Sequence, residues 1–287
     1  MSVQSENSTP AAPKPKRSIS PTQKILFFVT GWLIVLMPFL FWWNTWFGRN
    51  LSDQQLTAYL HEDKKPRHIQ HALVQLGDRM THNDPAAKQW YPDLIRLSAY
   101  PVEQVRNTDA WVMGQDTSAA GFHETLLKML QDPSPIVRGN AALSLVRFGD
   151  AAGRSQIVAL LQPAQITAPA AGKIVDADRP STAIHQGGLI AKLQPAGASQ
   201  PIDVRSPIPG RIRSVPQPGA TVAAGSELAV IDPANQQVWE ALRALYLIGQ
   251  PDDLAAIRPY ERDVPDISND VRQQALQTER AIEARAK

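Results

Sequence analysis

Twenty-three consecutive residues, Ile25 to Phe47, carry no charged side chain. As a helix the run would rise about 34 Å, against a hydrocarbon core roughly 30 Å thick. A helix satisfies its own backbone polar groups, so one segment can cross a bilayer alone. Trp32, Trp42, Trp43 and Trp46 fall within the run, the last three at one end like an interfacial aromatic belt. The run therefore predicts a single transmembrane helix over residues 24–47, anchored by these tryptophans, with lipid as the partner of residues 25–47. It is too long for a cleaved signal peptide and lacks a small-residue cleavage site. Pro38 predicts a kink within it.

The flanks of the run orient it. Lys14, Lys16, Arg17 and Lys24 precede it, while Arg49 is the sole cation just after it. The positive-inside rule then predicts the inner (cytoplasmic) membrane, the N-terminus in the cytoplasm and the C-terminal body in the periplasm or another extracytoplasmic space. Residues 1–23, rich in Ser, Pro, Ala and Lys, read as a disordered cytoplasmic tail. The chain has no cysteine, which excludes disulfides, thiolate metal sites and cysteine nucleophiles. A net charge of +2 argues neither for nor against an acidic partner, and nucleic-acid binding has no motif and no basic run to support it.

Beyond the run, helical hairpins recur. In residues 124–150, Leu126, Leu127 and Leu130 have helical spacing, and Asp132-Pro133 closes that helix. A second helix carries Val137, Ala141, Leu145 and Phe148 on one face and closes at Gly149. Pro101, Val105-Arg106 and Ala110 precede Pro133, Val137-Arg138 and Ala142 by 32 residues each. A weaker copy spans Leu56 to Gly77. A period in this range signals a stacked helical array. The leucines, the Asp-x-x-x-x-Val-Arg turn, the small residues and the closing Gly-Asp resemble HEAT repeats. That resemblance implies an α-solenoid in which Arg138 bonds backbone or acidic groups nearby.

From Ile166 the helical period gives way to short alternating segments rich in Gly, Pro, Val and Ile. Pro169, Gly172, Ile174, Pro180, Gly187 and Ala191 recur 38 residues later as Pro207, Gly210, Ile212, Pro218, Gly225 and Ala229. The duplication, with "SPIPGRI…PGATVAAGSELAVI", resembles the biotinyl/lipoyl-like barrel-sandwich hybrid, in particular that of membrane-fusion (periplasmic adaptor) proteins. A carrier of that family acylates a lysine at the hairpin between the halves. Here Gly197 or Ser199 stands there, depending on which side one counts from, and no lysine lies between Leu193 and Val204. The swinging-arm role, its cofactor and the adaptor family's long helical hairpin are therefore not implied.

After the β segment the helical period resumes at Val238, so the module reads as inserted in a HEAT hairpin. The predicted fold class is mostly α with a β insertion: the transmembrane helix, HEAT-like repeats over 51–162, the β barrel over 163–234, and repeats with a polar cap over 235–287. No catalytic motif appears. His68 and His71 read as a surface pair, and no catalytic, cofactor or metal residue is assigned. Lys173, Arg205, Arg211 and Arg213 make the barrel basic and are candidate contacts to a partner. The reading is a non-catalytic, membrane-anchored scaffold binding proteins of an extracytoplasmic membrane complex, with no small-molecule substrate. A divergent efflux or secretion adaptor is the alternative; a HEAT-like lyase or an acyl carrier ranks below both.

Overall fold

The computed structural model describes residues 20–42 and 50–287. It divides into two units, residues 1–51 and 52–287.

In the first unit, helix α1 (Pro21–Trp42) begins in the polar turn before the apolar run and ends within it. Its described uncharged part, from Ile25 to Trp42, rises about 27 Å. Among the described residues no helix is long and apolar enough to cross a membrane. The predicted transmembrane helix is therefore corrected, and with it the single-pass inner-membrane localisation, the orientation and the lipid partner. Trp32, meant as an anchor, is 56% exposed on α1. Trp42 is the last residue of that helix, and Trp43 and Trp46 lie outside the described residues, as does most of the predicted tail.

The second unit is built from antiparallel helix pairs. Helices α2 (Asp53–Leu60) and α3 (Pro66–Thr81) form the first, with Ser52 and Gln55 capping each other's backbone at its start. Next come α4 (Tyr91–Leu97) with α5 (Glu103–Met113), and α6 (Phe122–Met129) with α7 (Pro135–Arg147). Pro66 and Pro135 open their helices in the first turn, where a missing N–H costs nothing. The second helices α3, α5 and α7 stack side by side, as the 32-residue spacing requires. Two buried hydroxyls tie such neighbours together. Ser144 Oγ of α7 donates to the Ala110 carbonyl of α5 at 2.8 Å, and Thr278 Oγ1 donates to the Leu242 carbonyl at 2.9 Å.

Helix α8 (Arg154–Ala159) is separated from its partner α9 (Asn235–Ile248) by eight strands. These are β1 (Ala164–Thr167), β2 (Gly172–Ala177), β3 (Ala183–Ile184), β4 (Leu189–Pro195), β5 (Ile202–Arg205), β6 (Gly210–Ser214), β7 (Thr221–Val222) and β8 (Glu227–Pro233). They form two four-stranded antiparallel sheets, β1-β8-β6-β3 and β5-β4-β2-β7. Each sheet takes two strands from each half of the duplicated sequence, so neither half can close a core alone. The buried residues confirm the register of the duplication: Ile174 with Ile212, Ile190 with Leu228, Ala191 with Ala229, Leu193 with Ile231. Each Ile or Leu among them contributes about 1.5–3 kcal/mol on burial.

Glycines recur where strands pass too close for a side chain. A Cβ on Gly172 would sit 2.4 Å from the Gln194 carbonyl oxygen, and one on Gly210 only 1.9 Å from that of Asp232. Because β1 pairs with β8, Ala164 lies opposite Ile231 and the module enters and leaves at one point. There Gln237 of α9 donates to the Leu160 carbonyl at 2.9 Å, rejoining the interrupted helix pair. Far from that root, Gln186 donates to the Glu103 carboxylate at the start of α5, which fixes the module to the array at a second place.

The final pair is α10 (Leu254–Ile257) and α11 (Asn269–Arg285), the latter capped by Ser268. Arg154 of α8 reaches Asp253 with both carboxylate oxygens at 2.9 Å, linking pairs on either side of the insertion.

Candidate protein-binding groove

The face made by α5, α7 and α9 carries a groove of about 700 Å³. Its floor is amide and hydroxyl: Asn140 of α7 donates to Asn107 Oδ1 of α5 at 2.6 Å. Its two walls are tryptophans. Trp111 rests on α3 at Gly77, where a Cβ would approach the indole to 2.8 Å, and leaves 43% of its surface open. Trp239 on α9 is covered by the Arg243 guanidinium, 4.7 Å from the ring centroid. Leu247, one turn further along α9, is 60% exposed at the rim.

The groove's charges are not neutralised within it. Arg147 donates to the neutral amide of Gln115 at 3.0 Å, and Glu240 accepts from Gln236 at 2.6 Å. Two guanidiniums, Arg147 and Arg243, and one carboxylate, Glu240, therefore line the cleft. On α5, Asp109 is fully buried and neither carboxylate oxygen has a hydrogen-bond partner. Burial pushes its carboxyl well above the usual range, and the positive charge of Arg96 offsets this only in part.

The four basic residues predicted as partner contacts are not brought together as one patch. Lys173 and Arg205 lie on the sheet of β2 and β5, whereas Arg211 and Arg213 lie on β6 in the other sheet. Three of the four are engaged: Arg205 with Asp203 at 2.7 Å, Arg211 with Asp266 at 3.0 Å, and Arg213 with Asp232. At the hairpin tip, Gly197 has φ of 77° in the short turn joining β4 to β5, with Ser199 beside it. Lys192 lies inside β4, between Asp203 of β5 and Asp176 of β2.

His68 stacks on Tyr59 at 4.3 Å and meets Glu62, while His71 bonds Gln75 at 2.9 Å. Among the described residues no group of His, Cys, Asp and Glu could hold a metal ion. Sequence reasoning passed over Trp111, Trp239 and Arg243. Their one signal was that two of the three tryptophans outside the apolar run fall on second helices of the repeats.

The HEAT repeat family model matches residues 124–152, the α6–α7 pair. No curated protein matches the chain. Among solved structures it is similar to a chain of the complex of CpcE and CpcF of phycocyanin lyase from Nostoc sp. PCC7120. That likeness has 16% identity, covers 84% of this chain and 68% of that one, and has a TM-score of 0.42. It is also similar to a single-chain, multi-domain long-chain acyl-CoA carboxylase. Here identity is 20%, coverage is 48% of this chain and 14% of that one, and the TM-score is 0.23. At these scores neither likeness establishes a shared fold.

Two further expectations are corrected. The family match supports helical repeats and reaches none of residues 164–233, so the membrane-fusion assignment of the β module is withdrawn. The membrane-anchored adaptor, whether scaffold or efflux component, falls with the spanning helix it required. Its ranking above a HEAT-like lyase therefore has no ground.

Proposed function

We propose that this chain is a protein-binding HEAT-repeat subunit whose α5–α7–α9 groove takes a segment of a partner polypeptide. One observation carries the reading: Trp111 and the Trp239–Arg243 stack face each other across an amide-lined floor. Tryptophan and arginine dominate the energetics of protein interfaces, because they bury large area and still offer hydrogen bonds. The Asn107–Asn140 pair suits backbone amides of a bound segment, and the surplus guanidinium favours a carboxylate beside it. The reading is one of binding, with no chemistry assigned to this chain.

A photo-crosslinking residue at Leu143, in the groove, tests it inside the source cell. The expected result is an adduct with one protein, lost when Trp111→Ala and Trp239→Ala are combined. A control crosslinker at Val175 on the β module should not give it. An adduct that persists in the double variant would remove the groove from the interface. A partner that acquires a covalently attached group only when this chain is present would replace the reading with the lyase one.

A further inference from the structure

A second cavity, of about 500 Å³, opens where the β module meets the last helix pair. It is distinct from the groove, and it takes in Arg211 and Arg213, two of the four basic residues predicted as partner contacts. Ala255, Ala256, Pro259, Val264 and Ile267 line one side, and β6 with the Pro233–Asn235 exit of the module lines the other. Tyr260 closes its inner end by donating to the Leu161 carbonyl. A volume in this range, mostly apolar and with a few convergent polar groups, is that of a small-molecule site.

Its charges specify the ligand further. Arg211, Arg213 and Arg262 line the cavity together with Asp232 and Asp266. Arg211 is held by Asp266 at 3.0 Å and Arg213 by Asp232, so two of the three guanidiniums are matched. The nearby Asp263 is taken by Arg272 at 2.9 Å. Arg262 is exposed, and among the described residues no hydrogen bond or ion pair engages its guanidinium. A planar guanidinium with free donors beside an apolar wall binds a carboxylate through two parallel hydrogen bonds. The excess of one positive charge suits a single anionic head, and a dianion would have to compete with two aspartates already in place.

We infer that this cavity binds a monocarboxylate with an apolar body, its head on Arg262 and its tail against the Ala255–Pro259 wall. The site exists only because the β module is inserted where it is, so the ligand would join module and array.

A twelve-carbon carboxylate carrying a photoreactive diazirine, applied to the full chain and mapped by mass spectrometry, tests the inference. Labelling is expected within residues 255–267 and on β6, and excess decanoate should displace it at least tenfold better than decanol. Arg262→Gln should remove that preference for the acid while the label stays in place. Ala256→Trp, which fills the cavity, should abolish the label with thermal unfolding unchanged. Labelling confined to α1, equal competition by acid and alcohol, or labelling unaffected by both variants would each overturn it.

Discussion

Arg106 grips Asp132 through two parallel hydrogen bonds, Nε to Oδ2 at 2.7 Å and Nη2 to Oδ1 at 2.9 Å. The same guanidinium also donates to the carbonyls of Tyr100 and Pro101 at 2.8 and 3.1 Å. One repeat on, Arg138 repeats the arrangement on the carbonyls of Asp132 and Pro133 at 2.7 and 3.1 Å. Each arginine thus closes its own turn, and Arg106 also holds the turn that follows.

Arg106→Ala should destabilise the second unit by about 3 kcal/mol, since it strands a mostly buried carboxylate. Burial opposes ionisation of Asp132. The hydrogen bonds from Arg106 and Ser134, with the Arg106 and Arg138 charges, outweigh it and hold the carboxyl below its usual value. A depressed carboxyl stabilises the fold above its unfolded pKa and loses that contribution as pH falls toward the folded one. In urea titrations the gap between wild type and variant should therefore shrink below about pH 4.

Asp109 predicts the opposite sign. Its counterpart 32 residues on is Ala141, and an unpartnered carboxyl there costs on the order of 2 kcal/mol at neutral pH. With its pKa raised in the fold, the native state holds the proton that the unfolded chain releases, so stability falls as pH rises above about 4. Asp109→Leu should unfold at higher urea than wild type at pH 8, with a smaller advantage at pH 4.5. An equal advantage at both would mean the carboxyl is not linked to folding.

Gly210→Ala should cost about 2 kcal/mol or more by forcing β6 away from β8. Gly187→Ala, where a Cβ meets nothing within 4 Å, carries only the left-handed backbone penalty of about 1 kcal/mol. Amide exchange should separate them: protection of Ile212 and Ile231 should be lost in the first and kept in the second.

Ser144→Ala removes the buried bond to the Ala110 carbonyl and should cost about 1 kcal/mol in thermal unfolding, with the groove's crosslink unchanged. A variant that abolished the crosslink would mean that the α5–α7 spacing itself is what the partner reads.

The repeat period was legible because every hairpin faces the same packing task, so Val105 and Val137, or Arg106 and Arg138, serve one purpose 32 residues apart. The strand duplication was legible for a similar reason, since Ile174 and Ile212 fill one core. Asp109 was not, because a helical pattern assigns a carboxylate to solvent and only its neighbours bury it. Nor was the groove: Trp111 and Trp239 line it from helices separated in sequence by the whole β module. The apolar run misled because the absence of charge does not by itself make a described helix long and apolar enough to cross a membrane. Its residues begin inside helix α1 (Pro21–Trp42), whose first turn is polar.

The placement of eight strands between α8 and α9 bears on how the chain reaches this state. To pair these helices unaided, the chain would close a loop of roughly 70 residues, an entropic cost of about 4 kcal/mol. Once β1 has paired with β8, that closure has already happened, and Leu160 and Gln237 arrive side by side. During synthesis α8 would wait unpaired on the ribosome until β8 emerges, and the strands would then act as a splint on which the rest of the solenoid sets.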